Sequence, residues 1–277
     1  MKFNTEDVAE KAMLSTSLDP IWSAEFDSGT APDDDIWSYD LGDGGWGNSE
    51  LQTYTGDAAN VRVEGGQLII TALKQGSNFT SARIKTEDKL TFKYGTLEAR
   101  IQVPDLGNGL WPAMWALGHN FSSVGWPACT EIIAMEMGVE GAIDAGVVNR
   151  RITSAAHWEC NNLHEEYGLT LDHPSDIDGS FHTYRMEWTP TAITTYIDNV
   201  QIWTMNIAGI PEFHEPHFLL LNLAVGGKHT GICDSGGITA PFPAECRVDY
   251  IRIFDNGYAV LGGSSVQSKN PREEVMC

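Results

Sequence analysis

The sequence predicts an all-β protein, folded as one antiparallel sandwich of many strands over about residues 18–258. Stretches in which apolar and polar residues alternate recur along the chain, as is typical of half-buried strands. The chain contains 28 glycines, and 10% of its residues are aromatic, a composition that suits strands joined by tight turns. Its 277 residues show no internal repeat or linker. Because a single sandwich reaches roughly 250 residues, we expect one domain.

The first predicted elements are a short helix and a β-hairpin. Residues 5–14 favour a helix because Thr5 can cap its first turn. Residues 61–70 contain two short apolar stretches on either side of Gly65 and Gly66. Paired glycines accept the positive φ angles of a two-residue turn, so this segment predicts a hairpin.

Strand signals continue along the chain. Alternation over 97–103 and 183–188 predicts strands that each have one apolar face. Residues 196–203 predict a second hairpin, and the uninterrupted apolar run 218–225 predicts a strand covered on both sides. A last strand is predicted over 248–254.

These signals divide the chain into three parts. Residues 1–17 are predicted to be an N-terminal extension, 18–258 the sandwich domain, and 259–277 a polar C-terminal tail. Because terminal segments of this kind often lie outside the packed domain, we expect the function to reside in the central part.

The charge of the chain restricts its partners. There are 17 Lys and Arg residues against 38 Asp and Glu residues, which gives a formal net charge of −21. Such a charge disfavours nucleic-acid phosphates and anionic membranes, and it favours a neutral or cationic ligand. No run approaches the ~18 consecutive apolar residues of a membrane-spanning helix. We expect a monomer with neither a nucleic-acid nor a membrane partner.

The five cysteines leave at least one free thiol because their number is odd. They are Cys129, Cys160, Cys233, Cys246 and Cys277. No CxxC pair occurs, which argues against a zinc–thiolate site. A Gly- and Pro-rich segment separates Cys233 from Cys246, so we predict a disulfide between these two. Cys129 is expected to remain a thiol, and Cys277 has no obvious partner.

The compartment depends on whether a leader peptide preceded this sequence. Its first residues include acidic side chains where a signal peptide needs an apolar segment. We expect an extracellular protein if a leader was removed and an intracellular protein otherwise. Asn78 and Asn120 fit the acceptor pattern for glycosylation, but this pattern is common by chance.

Residues 126–136 carry the strongest chemical signal. Glu131 and Glu136 interrupt an apolar, strand-like run, and glutamates are rarely buried without a reason. Residues five apart in a regular strand point to opposite faces, but one β-bulge near Ala134 and Met135 would bring both carboxylates to the same face. Two carboxyl groups about 5–5.5 Å apart are the catalytic pair of a retaining glycosidase. The alternative is a regular strand in which one glutamate faces solvent.

Seven ordered segments of the chain resemble glycoside hydrolase family 16, particularly its laminarinase-like endo-β-1,3-glucanases. They are residues 46–55, 94–100, 109–115, 126–136, 181–188, 221–227 and 248–253. The resemblance implies a β-jelly-roll sandwich of two curved antiparallel sheets with a glycan cleft on the concave face. It also implies a retaining enzyme for β-1,3(1,4)-linked glucan, with Glu131 as nucleophile and Glu136 as acid/base.

Other residues match sugar contacts of that family. The implied stacking platforms are Trp126 and Trp111 or Trp115, and the implied polar contacts near the reacting sugar are Asn48, Arg83 and His157. Each residue also has a structural alternative. Tryptophan is more often a core residue, and arginine or histidine is more often a hydrogen-bonded surface or core group.

The resemblance implies no required cofactor. A structural calcium ion occurs on the convex face in parts of the family, where a carboxylate matches Asp249 and backbone lies near Gly66. The alternative is a purely structural role for Asp249.

Several positions depart from the family pattern. The family motif reads Gly-Glu-Ile-Asp-Ile-Met-Glu, and Thr130, Ile133 and Ala134 replace its Gly, its Asp and its second Ile. The motif Asp would lie between the glutamates on the same face and hydrogen-bond the nucleophile. Ile133 removes this partner, and the added desolvation favours protonated Glu131, which is a poor nucleophile. His229 replaces a tryptophan that is common after the late glycine pair.

These departures leave three functions open. The first is a glucan hydrolase that uses both glutamates. The second is a catalytically weak glycan-binding protein, although a pure binder has no need of two apposed acids. The third is a repurposed enzyme that performs acid/base chemistry, such as a cyclisation or isomerisation, on a small metabolite.

Overall fold

The computed structural model describes residues 19–264. Within them, the chain forms two packed β-sheets with only short helical segments between strands. The predicted helix over 5–14, Cys277 and most of the predicted tail lie outside the described residues.

Strands make up most of the described chain and are numbered here in sequence order. They are β1 (Trp22–Ala24), β2 (Ser38–Asp40), β3 (Gln52–Tyr54), β4 (Val61–Glu64), β5 (Gln67–Gln75), β6 (Asn78–Ser81), β7 (Arg83–Lys85), β8 (Thr91–Lys93), β9 (Gly95–Gln102), β10 (Leu110–Gly118), β11 (Glu131–Met137), β12 (Arg151–Cys160), β13 (Leu163–Asp172), β14 (Phe181–Trp188), β15 (Ala192–Ile197), β16 (Val200–Asn206), β17 (His217–Val225), β18 (Ala244–Phe254) and β19 (Val260–Gly262).

The strands form a β-jelly-roll sandwich, as the family resemblance implies. The outer sheet has the order β16-β15-β14-β9-β18-β5-β6-β3, with β1 beside β18 and β4 beside β5. The cleft sheet has the order β13-β12-β11-β10-β17-β7-β2, with β8 beside β17 and β19 beside β8. Among the described pairs, β3 and β6 run parallel, and the two sheets are otherwise antiparallel.

The helical segments lie in the connections. They are the α-helices α1 (Phe121–Val124) and α2 (Glu140–Asp144) and the 3-10 turns Gly45–Gly47, Pro211–His214 and Lys228–Thr230. Over residues 19–264, none of the helices is long and apolar enough to cross a membrane.

The hydrophobic core lies between the two sheets. Along β10, Met114 and Ala116 point into this core, whereas Trp111 and Trp115 point to the opposite face and line a cleft. Strand β17 is buried at every position because one of its faces meets the core and the other forms part of the cleft. The predicted strand over 218–225, covered on both sides, is therefore confirmed.

Both predicted hairpins are confirmed. Gly65 and Gly66 connect β4 to β5 with φ angles of 62° and 76°. Asp198 and Asn199 connect β15 to β16 with φ angles of 47° and 67°. The Asp198 carboxylate also accepts a hydrogen bond from the backbone amide of Thr183 at 2.9 Å, which fixes the second turn against β14.

The predicted disulfide between Cys233 and Cys246 is wrong, because both residues have free thiols. Cys246 lies on β18 opposite Ile70, and strand alternation directs its sulfur into the core. Cys233 lies exposed in a loop. Sequence separation suggested that the two could meet, but it could not show which way each side chain points. Cys129 is a buried thiol, as predicted, and burial raises its pKa to about 11.

Candidate active site

A cleft of about 950 Å³ crosses the cleft sheet. Its base consists of outward-facing side chains of five adjacent strands, β12, β11, β10, β17 and β7. Loop residues 46–48 and 228–229 contribute to one part of the wall, and β13 contributes to another. All eight residues predicted to catalyse or bind sugar line this cleft: Asn48, Arg83, Trp111, Trp115, Trp126, Glu131, Glu136 and His157.

A β-bulge in β11 brings the two glutamates to the same face. On the β12 side, Ile133 pairs with Ala155, but the next pair is Glu136 with Thr153. Three residues of β11 therefore span two residues of β12, and the extra residue lies at Ala134–Met135, where the sequence predicted it. The extra residue shifts the alternation of side chains by one position, so that Glu131, Ile133 and Glu136 all line the cleft.

Glu131 is partly buried between neighbouring strands. It lies opposite Leu117 of β10 and His157 of β12. The indole Nε1–H of Trp126 donates a hydrogen bond to Glu131 Oε2 at 2.9 Å. Burial, together with the charge of Glu136, raises the pKa of Glu131 to about 8, despite the opposing effects of Trp126 and Arg83. The side chain therefore carries a proton at neutral pH.

Glu136 is more deeply buried, with 7% of its surface exposed. The indole Nε1–H of Trp111 donates to Glu136 Oε2 at 3.0 Å. Burial raises the pKa of Glu136 to about 7, against the lowering effect of this hydrogen bond. Each glutamate is thus held by the indole of one tryptophan, and burial shifts both pKa values towards neutrality.

His229 packs against this second glutamate. Its ring stacks on Trp111, with centroids 4.5 Å apart and planes 14° apart. His229 Nδ1 lies 3.7 Å from Glu136 Oε2. Burial lowers the pKa of His229 to about 4, so the imidazole is neutral at physiological pH. His229 Nε2 and Thr153 Oγ1 are buried without a hydrogen-bond partner in the structure, although both residues line the cleft.

Ile133 lies between the two glutamates, at the position where the family motif has an aspartate. It is 6% exposed and pairs with Trp115 on one side and Ala155 on the other. The space around it is therefore bounded by apolar groups. That Ile133 favours the protonated form of Glu131 stays a prediction.

The predicted polar contacts are held by further polar and aromatic groups. Arg83 Nε donates to Asp40 Oδ2 at 2.6 Å, and the guanidinium lies 4.1 Å from the centre of the Trp46 ring. Asn48 Nδ2 donates to Glu50 Oε1 at 3.2 Å. These contacts fix both side chains in the cleft wall, where they can present hydrogen-bonding groups to a ligand.

The three predicted aromatic platforms differ in exposure. Trp126 is 48% exposed, and its ring lies over His164 with centroids 4.7 Å apart. Trp115 is partly buried and donates from Nε1 to Asn222 Oδ1 at 2.8 Å. Trp111 is partly covered by His229. Trp126 therefore offers the most open flat surface of the three, as suits stacking on a sugar ring.

Sequence reasoning missed the wall formed by β13. His164 and Glu166 line the cleft opposite β12, beside the predicted residue His157. Their spacing of two residues places them on one face of a strand, and this was the available signal. Residues 167–172 also alternate between apolar and small or polar side chains, so the second half of the strand carried a signal that was overlooked.

Asp249 lies on β18 of the outer sheet, where its carboxylate accepts a hydrogen bond from Arg100 at 2.7 Å. This guanidinium supplies the positive charge that a calcium ion would bring. A calcium ion at Asp249 would have to compete with this guanidinium, and the calcium site stays a prediction.

A jelly-roll sandwich whose cleft carries two glutamates on one bulged strand has the architecture of a glycoside hydrolase. The chain belongs to glycosyl hydrolases family 16, whose model matches residues 48–217.

Characterised relatives are similar over most of the chain. A β-glucanase of Rhodothermus marinus is 36% identical over 249 residues, which cover 84% of each protein. The clotting factor G alpha subunit of Tachypleus tridentatus is 31% identical over 247 residues, but these cover 85% of this chain and only 34% of the relative. The chain thus spans about a third of that larger protein.

A solved structure has the same fold over its whole length. It is a family 16 enzyme of Bacteroides ovatus in complex with a mixed-linkage glucan product. The two proteins are 34% identical with a TM-score of 0.78, and the match covers 84% of this chain and 100% of the other.

Proposed function

We propose that the chain hydrolyses β-1,3(1,4)-linked glucan with retention of configuration, using Glu131 as nucleophile and Glu136 as acid/base. The observation that carries this proposal is the β11 bulge, which places both carboxyl groups in one cleft. The similar β-glucanase and the glucan product in the similar solved structure support the substrate class.

The reaction has two steps. A Glu131 oxygen attacks the anomeric carbon while the glycosidic C–O bond breaks, and Glu136 gives its proton to the departing oxygen. Glu136 then takes a proton from water, whose oxygen attacks the anomeric carbon and releases Glu131. The cycle returns both groups to their starting states.

The cycle must begin with ionised Glu131 and protonated Glu136, so the pair must share one proton. Burial raises both pKa values, to about 8 and about 7 respectively, which keeps protons on the pair near neutral pH. The hydrogen bond from Trp126 and the charge of Arg83 favour ionised Glu131. Positive charge that develops on the sugar ring in the transition state favours it further. With these values Glu136 loses its proton before Glu131, so we expect hydrolysis to be fastest between about pH 7 and about pH 8, where the pair holds one proton, and to fall at higher pH as the acid/base ionises.

A second candidate is acid/base chemistry on a small, partly apolar molecule. The observation that favours it is Ile133, which places an apolar side chain where the family has a carboxylate, next to Trp115 and Ala155. With its pKa near 8, Glu131 is protonated at neutral pH and can act as an acid rather than as a nucleophile.

Incubation with laminarin and lichenan tests the first proposal. We expect oligosaccharide products from the wild-type chain, and the anomer formed first, read by NMR, should retain the β configuration. Glu131→Gln and Glu136→Gln should each lower turnover by about 10²-fold or more. Glu64→Gln is the matched control, because Glu64 is an exposed glutamate on β4 of the outer sheet.

Two outcomes would contradict the proposal. Unchanged hydrolysis in either cleft variant would exclude the two-glutamate mechanism. Tight glucan binding by the wild-type chain without any product would instead favour the glycan-binding alternative. In that case, the cleft substitutions should change affinity only modestly.

A further inference from the structure

Three potential metal ligands meet on the β12–β13 hairpin. They are His157, His164 and Glu166, and one donor atom from each lies within 4.8 Å of the other two. His157 Nδ1 is 3.1 Å from His164 Nε2 and 3.6 Å from Glu166 Oε2. All three side chains line the cleft.

The backbone explains why these side chains converge. His157 of β12 lies directly opposite Glu166 of β13, and His164 lies two residues before Glu166 on the same face. Ten consecutive residue pairs join the two strands without a register shift. The hairpin therefore brings the three groups together before any ligand binds.

The separations match those of ligands around a small divalent cation. Zinc–nitrogen and zinc–oxygen bonds of about 2.0–2.1 Å in a tetrahedron place neighbouring ligand atoms about 3.3 Å apart. The separations of His157 Nδ1 from the other two ligand atoms, 3.1 and 3.6 Å, lie on either side of that value. Two imidazoles and one carboxylate also form a common donor set for zinc in proteins, with the remaining position open.

We propose that His157, His164 and Glu166 bind a first-row divalent transition metal ion such as Zn²⁺ at the wall of the cleft. Trp126 covers one side of the site through its contact with His164. Because all three side chains line the cleft, water or an oxygen of a bound ligand can complete the coordination. The proposal does not depend on glucan hydrolysis, because metal binding is measured without substrate.

A second cluster of similar composition lies elsewhere and serves as a comparison. His173, His182 and Asp198 also have donor atoms within 4.8 Å of one another. Asp198 already accepts a hydrogen bond from the Thr183 amide, and His173 Nδ1 lies 2.8 Å from the Ser175 carbonyl oxygen. These donors maintain local structure and do not line the cleft.

The test is titration of tag-free, chelator-treated protein with Zn²⁺ by calorimetry and with Co²⁺ by visible absorption. We expect one Zn²⁺ per chain and the Co²⁺ bands of a nitrogen- and oxygen-ligated site. His164→Ala and Glu166→Gln should each weaken binding by at least about 10-fold, since even indirect partners of metal ligands contribute that much. His119→Ala, which removes an exposed histidine outside both clusters, should leave binding unchanged.

Several results would overturn the proposal. One is the absence of stoichiometric binding by the wild-type chain, and another is equal binding by the His164 and Glu166 variants. Loss of binding in His173→Ala alone would assign the ion to the second cluster. Cobalt–thiolate absorption that disappears in Cys160→Ser would assign it to the exposed cysteine at the end of β12. Circular dichroism of each variant establishes that the fold is intact.

Discussion

At the scale of single residues, position 133 determines the polarity between the two glutamates. An isoleucine there offers no hydrogen bond to Glu131, and the nearest groups on the adjacent strands are Trp115 and Ala155. The proton distribution over the pair is therefore set by burial and by contacts at its two ends, from Trp126 and Trp111.

Ile133→Asp is expected to raise glucan hydrolysis by about 10-fold or more, if one positioned acid/base contact contributes its usual effect. The new carboxyl group would face the cleft between the glutamates, where it can donate to or accept from Glu131. Initial rates on laminarin measure the gain. Ile133→Asn is the control, because it adds hydrogen-bonding groups of similar shape that do not titrate.

The opposite outcome supports the second candidate function. If the present substrate packs an apolar face on Ile133, then Ile133→Asp should impair that reaction without any gain on laminarin. Equal gains in the Asp and Asn variants would show that hydrogen bonding, rather than proton sharing, is what the site lacks.

At the scale of elements, a glycine at the end of β11 allows this strand to approach the backbone of β10 closely. Gly138 follows this strand with a φ angle of +94°, and a Cβ atom there would lie 2.1 Å from the carbonyl oxygen of Leu110. A side chain at this position would force apart the end of β11 and the beginning of β10. Those two strands carry Glu136 and Trp111, which form a hydrogen bond.

Gly138→Ala is therefore expected to destabilise the protein by about 3 kcal/mol, from backbone strain and steric overlap together. The free energy of unfolding in urea measures the effect. Gly141→Ala is a matched control three residues away, in α2, where an added Cβ has open space and no positive φ. The control should be neutral or slightly stabilising. Equal stability of the two variants would contradict the role assigned to Gly138.

The sequence predicted the elements whose pattern reflects burial. Glu131 and Glu136 stood out because they interrupt an apolar run. The bulge was predicted because, in a regular strand, side chains five residues apart point to opposite faces. The β13 wall was not predicted: its second half alternates in polarity over 167–172, but its first half, which carries His164 and Glu166, is polar at three successive positions and is exposed on both faces. The Cys233–Cys246 disulfide was predicted wrongly, since spacing along the chain contains no information on side-chain direction.

At the scale of the whole molecule, the two glutamates link stability to pH. Their folded-state pKa values of about 8 and about 7 exceed the ordinary value of 4.5. The folded protein therefore retains protons that the unfolded chain releases above about pH 4.5. This contribution to stability is fully present below that pH and is lost as pH rises through about 7 to 8.

We expect the free energy of unfolding to fall between about pH 5 and about pH 8 by up to about 1.4 kcal/mol per pH unit for each carboxyl group. The Glu131→Gln/Glu136→Gln double variant should lose most of this dependence, since neither amide titrates. Urea unfolding across the same pH range measures both proteins. Parallel pH profiles would show that the two groups are solvated in the folded state.

The position of β13 at the edge of the cleft sheet gives the two walls of the cleft different local stabilities. Among the strands of residues 19–264, β13 pairs with β12 alone, and it is exposed along most of its length, apart from the contact of Tyr167 with Trp203. Edge segments with few buried contacts open by fraying at much lower free energy than central strands do. Transient opening therefore occurs first at the β13 wall, while the strand that carries both glutamates stays closed between two neighbours.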